Sequence, residues 1–318
     1  MSRIAAFASL CLLPLLAAAA DANRPTLIVV AGAPGEAEFA QPFQEQLTSW
    51  AKIGGQAGVT TIVIGGDENP ATPDRDRLKQ VLDAEPKSGP AEFWLILLGH
   101  GTFDGKEAKF NLRGADFSAT ELTEWLKPMQ RPLALIDTSS SSAPFLAKLA
   151  GKNRVVVTST RSGYQQNYSR FGKYFTEAIA DTKADLDKDG QVSLLEGFLG
   201  AAHRTAEFYK TEGRLATEHA LIDDNGDGLG TPADWFKGVR AVRRAQDSAP
   251  LDGTRAHQFH LVRTAAEQQL PPEVRARRDA LELEVAKLRD AKAKMTEDAY
   301  YKQLEKLLLQ LAALYETT

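Results

Sequence analysis

With 318 residues and an apolar fraction of 43%, the chain has material for one α/β domain of moderate size, a sizeable core and an appendage. Acidic residues outnumber basic ones, 42 to 38, and no block of Lys and Arg stands out, which excludes the basic footprint of a nucleic-acid binder. A lone cysteine, Cys11, excludes a disulfide framework within the chain.

Residues 1–20 read as a secretory signal: Arg3 is the positive start, Ile4 to Leu16 the apolar run, and Ala18-Ala19-Ala20 the small-residue cleavage site. The run is shorter than the ~20 apolar residues a spanning helix needs, so the expectation is a chain starting near Asp21, secreted or periplasmic, with no stable membrane span after cleavage. Cleavage removes Cys11 and with it any cysteine nucleophile or thiolate zinc site.

Over 21–184 the pattern is α/β. Leu27 to Ala31 is a short apolar strand closed by Gly32-Ala33-Pro34-Gly35, a tight turn that lacks the nucleotide-binding fingerprints; a helix follows over 36–53 on Phe39, Phe43, Leu47 and Trp50. Further strands are expected at Thr61 to Ile64, Phe93 to Leu98, Leu133 to Ile136 and Arg154 to Thr158, with helices at 74–84, 118–126 and 171–180 and a small hairpin over 103–112. Continuous apolar runs mark strands buried on both faces, so the expected fold is an open, mostly parallel sheet with helices on both faces.

Segment 185–238 carries two acidic loops. Asp185-Leu186-Asp187-Lys188-Asp189-Gly190-Gln191-Val192-Ser193-Leu194-Leu195-Glu196 fills the EF-hand pattern: carboxylates at positions 1, 3 and 5, glycine at 6, the Gln191 carbonyl at 7 and Glu196 able to close the sphere with both oxygens. Hard oxygen donors in that number suit calcium. A second loop offers Asp223, Asn225, Asp227 and Asp234 in the same order, but Gly230 replaces the apolar eighth residue and Asp234 is shorter than Glu, which leaves calcium binding and a plain Asn- and Asp-rich turn both open.

Segment 239–318 is helical. From Pro272 it turns charged and leucine-rich, with Leu281, Val285, Leu288 and Met295 on one face and Leu304, Leu308, Leu311 and Tyr315 on another, and the 294–297 region folds it into an antiparallel hairpin. Such a hairpin either caps the domain or drives oligomerisation. His257 and His260 share a helical spacing, but no acidic or thiol ligand near them in sequence completes a metal set, so they read as ordinary surface histidines.

His100 lies in Gly99-His100-Gly101 after the third strand, and Asp137-Thr138-Ser139 follows the fourth. Carboxyl ends of neighbouring strands converge on the ligand crevice of an open sheet, so a histidine and a hydroxyl come to face each other; the alternative is a loop histidine beside the serine-rich turn Ser139 to Ser142. In order and spacing these motifs resemble the caspase and legumain superfamily of cysteine peptidases, which place His-Gly after one strand and Asp-x-Cys or a similar motif after the next. His100-Gly101 matches the first, and Asp137-Thr138-Ser139 the second, with serine where the nucleophilic cysteine stands. Val156 to Gly163, then Arg170-Phe171-Gly172, look like the next strand and substrate-facing loop of bacterial legumain-like members, so the resemblance spans Thr26 to Phe208.

The resemblance implies a caspase-like sheet with an EF-hand-like insertion. Two functions follow from it: a non-catalytic relative that binds or scaffolds an unknown peptide or protein, or a serine-dependent peptidase or hydrolase using a Ser139–His100 dyad. Serine must lose its proton during attack and needs an oriented base, for which Asp104 and Asp116 are the acids to consider. A third reading is a structural protein that assembles through its C-terminal helices.

Overall fold

The computed structural model describes residues 21–67, 69–247 and 249–316, so the signal-sequence expectation and Cys11 lie outside the described residues. Its centre is a sheet of seven strands. Strands β1 (Thr26–Ala31), β2 (Thr60–Ile64) and β3 (Phe93–Leu98) are followed by three short ones, β4 (Gly101–Phe103), β5 (Ala108–Phe110) and β6 (Phe117–Ser118), which form a separate small sheet beyond β3. Strands β7 (Leu133–Asp137), β8 (Arg154–Thr158), β9 (Leu221–Asp223) and β10 (Thr231–Pro232) complete the main sheet in the order β2-β1-β3-β7-β8-β9-β10. Neighbours from β2 to β8 run parallel, whereas β9 and β10 are antiparallel to the strand before them in that order.

The two antiparallel strands go beyond the five-strand expectation. Only three residues of β9 and two of β10 pair, too few to show periodicity, and they flank the second acidic loop; segment 185–238 thereby contributes to the same sheet as 21–184.

Alternation along each central strand divides the core. Leu27, Val29 and Ala31 of β1 face α1 (Ala37–Ala57), and Ile28 and Val30 face α2 (Asp74–Ala84), α3 (Ala119–Leu126) and α4 (Ala143–Leu149). Helices α5 (Phe171–Ala180) and α6 (Leu194–Thr211) cover the α1 face through Phe171, Phe175, Leu194 and Phe198. Every residue of β1, β3 and β7 is buried, as a parallel sheet covered on both sides requires.

At the amino ends of these strands Arg131 is 1% exposed. Its guanidinium donates to Glu85 Oε2 at 3.0 Å and to the carbonyls of Ala91, Arg24 and Glu92 at 2.9, 3.1 and 3.1 Å, while Thr26 Oγ1 donates to the same Glu85 oxygen at 2.9 Å.

The C-terminal region holds a two-stranded ribbon, β11 (Phe236–Lys237) and β12 (Arg240–Ala241), then α7 (Thr254–Gln258), α8 (Ala265–Gln269), α9 (Pro272–Ala291) and α10 (Glu297–Glu316). As the sequence suggests, α9 and α10 pack as a hairpin; Arg277 near the start of one donates to Gln310 near the end of the other at 2.9 Å. Leu281 and Leu288 are buried under it, while Leu308 and Leu309 remain exposed. No helix among the described residues is long and apolar enough to cross a membrane.

Candidate functional site

Register brings the two motifs to neighbouring strand ends. Leu97 of β3 pairs with Asp137 of β7, so His100 and Ser139 leave the sheet side by side. The crossing is tight: a Cβ on Gly101 would stand 2.3 Å from the Ser140 carbonyl oxygen and 3.0 Å from Ser139 Oγ, so only glycine fits there. Ser140 fastens the crossing, its hydroxyl accepting from Gly101 N and donating to Gly101 O, both at 3.1 Å.

His100 and Ser139 do not share a hydrogen bond. Ser139 is wholly buried, and its hydroxyl donates to Asp137 Oδ1 at 2.6 Å while its amide donates to the same oxygen at 3.0 Å. His100 Nε2 lies instead 3.1 Å from the Pro34 carbonyl, in the Gly32 to Gly35 turn, with Phe39, Phe43 and Tyr168 around the ring at centroid distances of 4.9, 5.4 and 6.0 Å. Burial lowers the His100 pKa against the opposing pull of that carbonyl and of Glu36, which favours the neutral imidazole. Asp104 and Asp116 serve other ends: the first accepts from the amides of Lys106 and Glu107 in an exposed turn, the second from Leu112 N.

The serine-rich turn is bound down along its length. Ser159 donates to the Ser139 carbonyl at 2.6 Å, and Ser142 Oγ lies 3.2 Å from both Ser159 Oγ and Thr160 Oγ1. Ser141 adopts the left-handed region, φ 58°, a conformation that costs a non-glycine residue about 1–2 kcal/mol. Behind the turn, Asp137 has no exposure and its Oδ2 has no partner; burial pushes its pKa up to about 7 against the two Ser139 hydrogen bonds.

The first acidic loop joins α5 to α6. Asp185 accepts from Lys188 N at 2.6 Å and Gly190 N at 3.0 Å, Asp187 from Asp189 N at 3.2 Å, and Asp189 from Gln191 N at 2.8 Å. These Asx turns wrap the chain around one centre, with Gly190 at φ 90° where the loop reverses. Glu196 is set in the first turn of α6 by a capping box with Ser193: its Oε2 accepts from Ser193 N and Oγ, both at 2.8 Å, and its Oε1 accepts from Leu186 N at 2.7 Å. One carboxylate oxygen from each of Asp185, Asp187 and Asp189 lies within 4.8 Å of the others.

The second loop links β9 to β10. Asp223 accepts from Gly226 N at 2.7 Å and Gly228 N at 2.6 Å, Asn225 from Asp227 N and Asp227 from Leu229 N, each at 2.8 Å, the same turn logic as before. Asp234 lies exposed in a 3-10 turn after β10. The carboxylate that closes on this loop is Asp252, accepting from Asp224 N at 2.9 Å, Asn225 N at 3.1 Å and Thr231 Oγ1 at 2.5 Å. Burial pushes Asp223 up to about 6, and burial followed by the Asp224 charge raises Asp252.

His257 and His260 depart from the surface reading. They lack an acidic neighbour in sequence, but folding supplies two: His257 Nε2 lies 2.9 Å from Asp187 Oδ2 and His260 Nε2 3.9 Å from Asp189 Oδ2, across about seventy residues of chain. Their side chains retain 32% and 11% of their exposure, so His260 in particular is no surface residue. Burial lowers the His260 pKa against the pull of Asp189.

No protein-family model matches the chain, and no curated protein does. Among solved structures it is similar to the Drosophila initiator caspase Dronc, at 15% identity and TM-score 0.40 over 65% of this chain and 82% of that one. It is also similar to caspase-1 from Spodoptera frugiperda, at 10% identity and TM-score 0.42 over 70% of this chain and 94% of that one. At such identities and TM-scores neither decides the chemistry at His100 and Ser139.

Proposed function

We propose that this chain is an exported calcium-binding protein on a caspase- or legumain-like α/β domain, acting as a non-catalytic binding or scaffold module. The observation that carries the reading is the convergence of Asp185, Asp187 and Asp189 within 4.8 Å, with Glu196 fixed beside them by its capping box. Like charges gathered so closely repel, and a divalent cation held among them offsets that repulsion. Oxygen donors in this number suit calcium, and extracellular loops of this kind work at ~0.1 to 1 mM. The ligands are Asp185, Asp187, Asp189, Gln191 through its carbonyl, and Glu196; Asp223, Asn225, Asp227 and Asp234 are those the second loop offers. Bound at the first loop, the ion joins the end of α5 to the start of α6 and braces the sheet they cover.

The non-catalytic half of the reading is supported by Ser139, whose buried hydroxyl is given to Asp137 rather than to His100. The rival reading, a serine hydrolase, draws on the hydrogen bond that holds His100 by Nε2 to a backbone carbonyl and leaves Nδ1 free to act as a base. A fluorophosphonate probe distinguishes them. The expected result is no labelling in either calcium or chelator; labelling of the wild type that disappears in both Ser139→Ala and His100→Ala overturns the non-catalytic assignment.

A further inference from the structure

The first acidic loop meets nitrogen as well as oxygen. His257 on α7 brings Nε2 to 2.9 Å from Asp187 Oδ2, and one donor atom each of Asp187, Glu196 and His257 lies within 4.8 Å of the other two. That approach is short enough for an ion pair, yet the nitrogen is buried and makes no hydrogen bond, so the two atoms are close without pointing at each other. Donors about 3 Å apart that aim past one another form the edge of a coordination polyhedron, the spacing set by octahedral ligands at about 2.1 Å from an ion.

A second imidazole repeats the arrangement. His260 Nε2 is also buried without a partner and faces Asp189, while its Nδ1 lies 3.2 Å from the Gln258 carbonyl. A ring that donates Nδ1–H to a carbonyl presents a bare Nε2, the form in which histidine meets a cation. Ser193, ninth in the loop, gives its hydroxyl to Glu196. A cavity of about 520 Å³ lined by Asp187, Asp189 and His257 gives an ion a way in.

We propose that the Asp185–Glu196 loop is a mixed carboxylate and imidazole site, with His257 as a nitrogen ligand beside Asp187 and Glu196, and that it takes a first-row divalent ion of the manganese-to-zinc series as well as calcium. Calcium sites are built from oxygen, whereas an imidazole added to carboxylates shifts preference toward those ions. The inference rests on the reading of this loop as a cation site.

The test loads the full chain with Mn²⁺ alone and reads nitrogen coupling by pulsed electron paramagnetic resonance, beside calorimetric titration with Zn²⁺ and with Ca²⁺. Nitrogen coupling is expected in the wild type, weakened in His257→Gln, a variant that keeps the volume and polarity of the site, and absent once His260→Gln is added. In the same variant Zn²⁺ affinity falls about tenfold or more, while Ca²⁺ affinity moves less than about threefold. A Mn²⁺ complex of the wild type without nitrogen coupling, or equal Zn²⁺ affinity in wild type and His257→Gln, overturns the proposal. If Zn²⁺ binds through His257 and Ca²⁺ does not bind, only the calcium assignment is lost; if neither ion binds, both are.

Discussion

Arg131→Met is expected to lower the unfolding free energy by about 3 to 5 kcal/mol, the cost of leaving a buried charge without its partner. The charge is that of Glu85, 6% exposed, whose Oε2 would keep only the Thr26 hydroxyl. The carbonyls of Arg24 and Ala91 lose the guanidinium in the same step, and that of Glu92 is left with the Thr26 amide alone. All of these groups lie at the amino ends of the strands, away from His100 and the acidic loops, so the loss is one of stability alone. Urea unfolding at constant m value measures it. Adding Glu85→Leu to the variant is expected to restore part of the stability, because an apolar pair removes the stranded carboxylate. A loss below about 1 kcal/mol for the single variant would show that water reaches Glu85 and that the pair does not hold the sheet as described.

Asp137→Asn is expected to flatten the pH dependence of stability. Burial raises the Asp137 pKa from 3.8 to about 7. A folded-state pKa above the unfolded one means that the protonated carboxyl contributes its stability in full below about pH 4, and that this contribution is lost as pH rises through about 7. At ~1.4 kcal/mol per unit the wild type loses on the order of 4 kcal/mol relative to the asparagine variant across that window. Asparagine keeps an oxygen for the amide and hydroxyl of Ser139, so the turn that carries the serine stays in place. Denaturant unfolding of both proteins at half-unit steps from pH 4 to 8 gives the comparison, and parallel curves would mean that Asp137 is solvated or paired.

Much of this was legible because its causes are local. The runs at Leu27 to Ala31 and Phe93 to Leu98 announce strands covered on both faces, and they are the centre of the sheet. The first acidic loop could be read whole because its oxygen donors fall within twelve consecutive residues. What the sequence hid depends on distant partners. β9 shows itself only through its pairing with β8, since Leu221-Ile222-Asp223 is too short to carry a period. Asp252 closes on a loop some thirty residues before it, and His257 reaches Asp187 from seventy residues away, so neither had a neighbour in the chain to betray its role. The register of Leu97 with Asp137 puts His100 and Ser139 at neighbouring strand ends. Which way a hydroxyl turns is a different matter, set here by Asp137 only two residues before it.

Calorimetric titration of the metal-free chain with Ca²⁺, repeated with Asp185→Ala, tests the central claim most directly. Binding in the ~0.1 to 1 mM range for the wild type, lost at the first loop in the variant, is the expected result. A wild type that gives no binding heat up to several millimolar, and whose unfolding temperature is the same in calcium and in chelator, would contradict it.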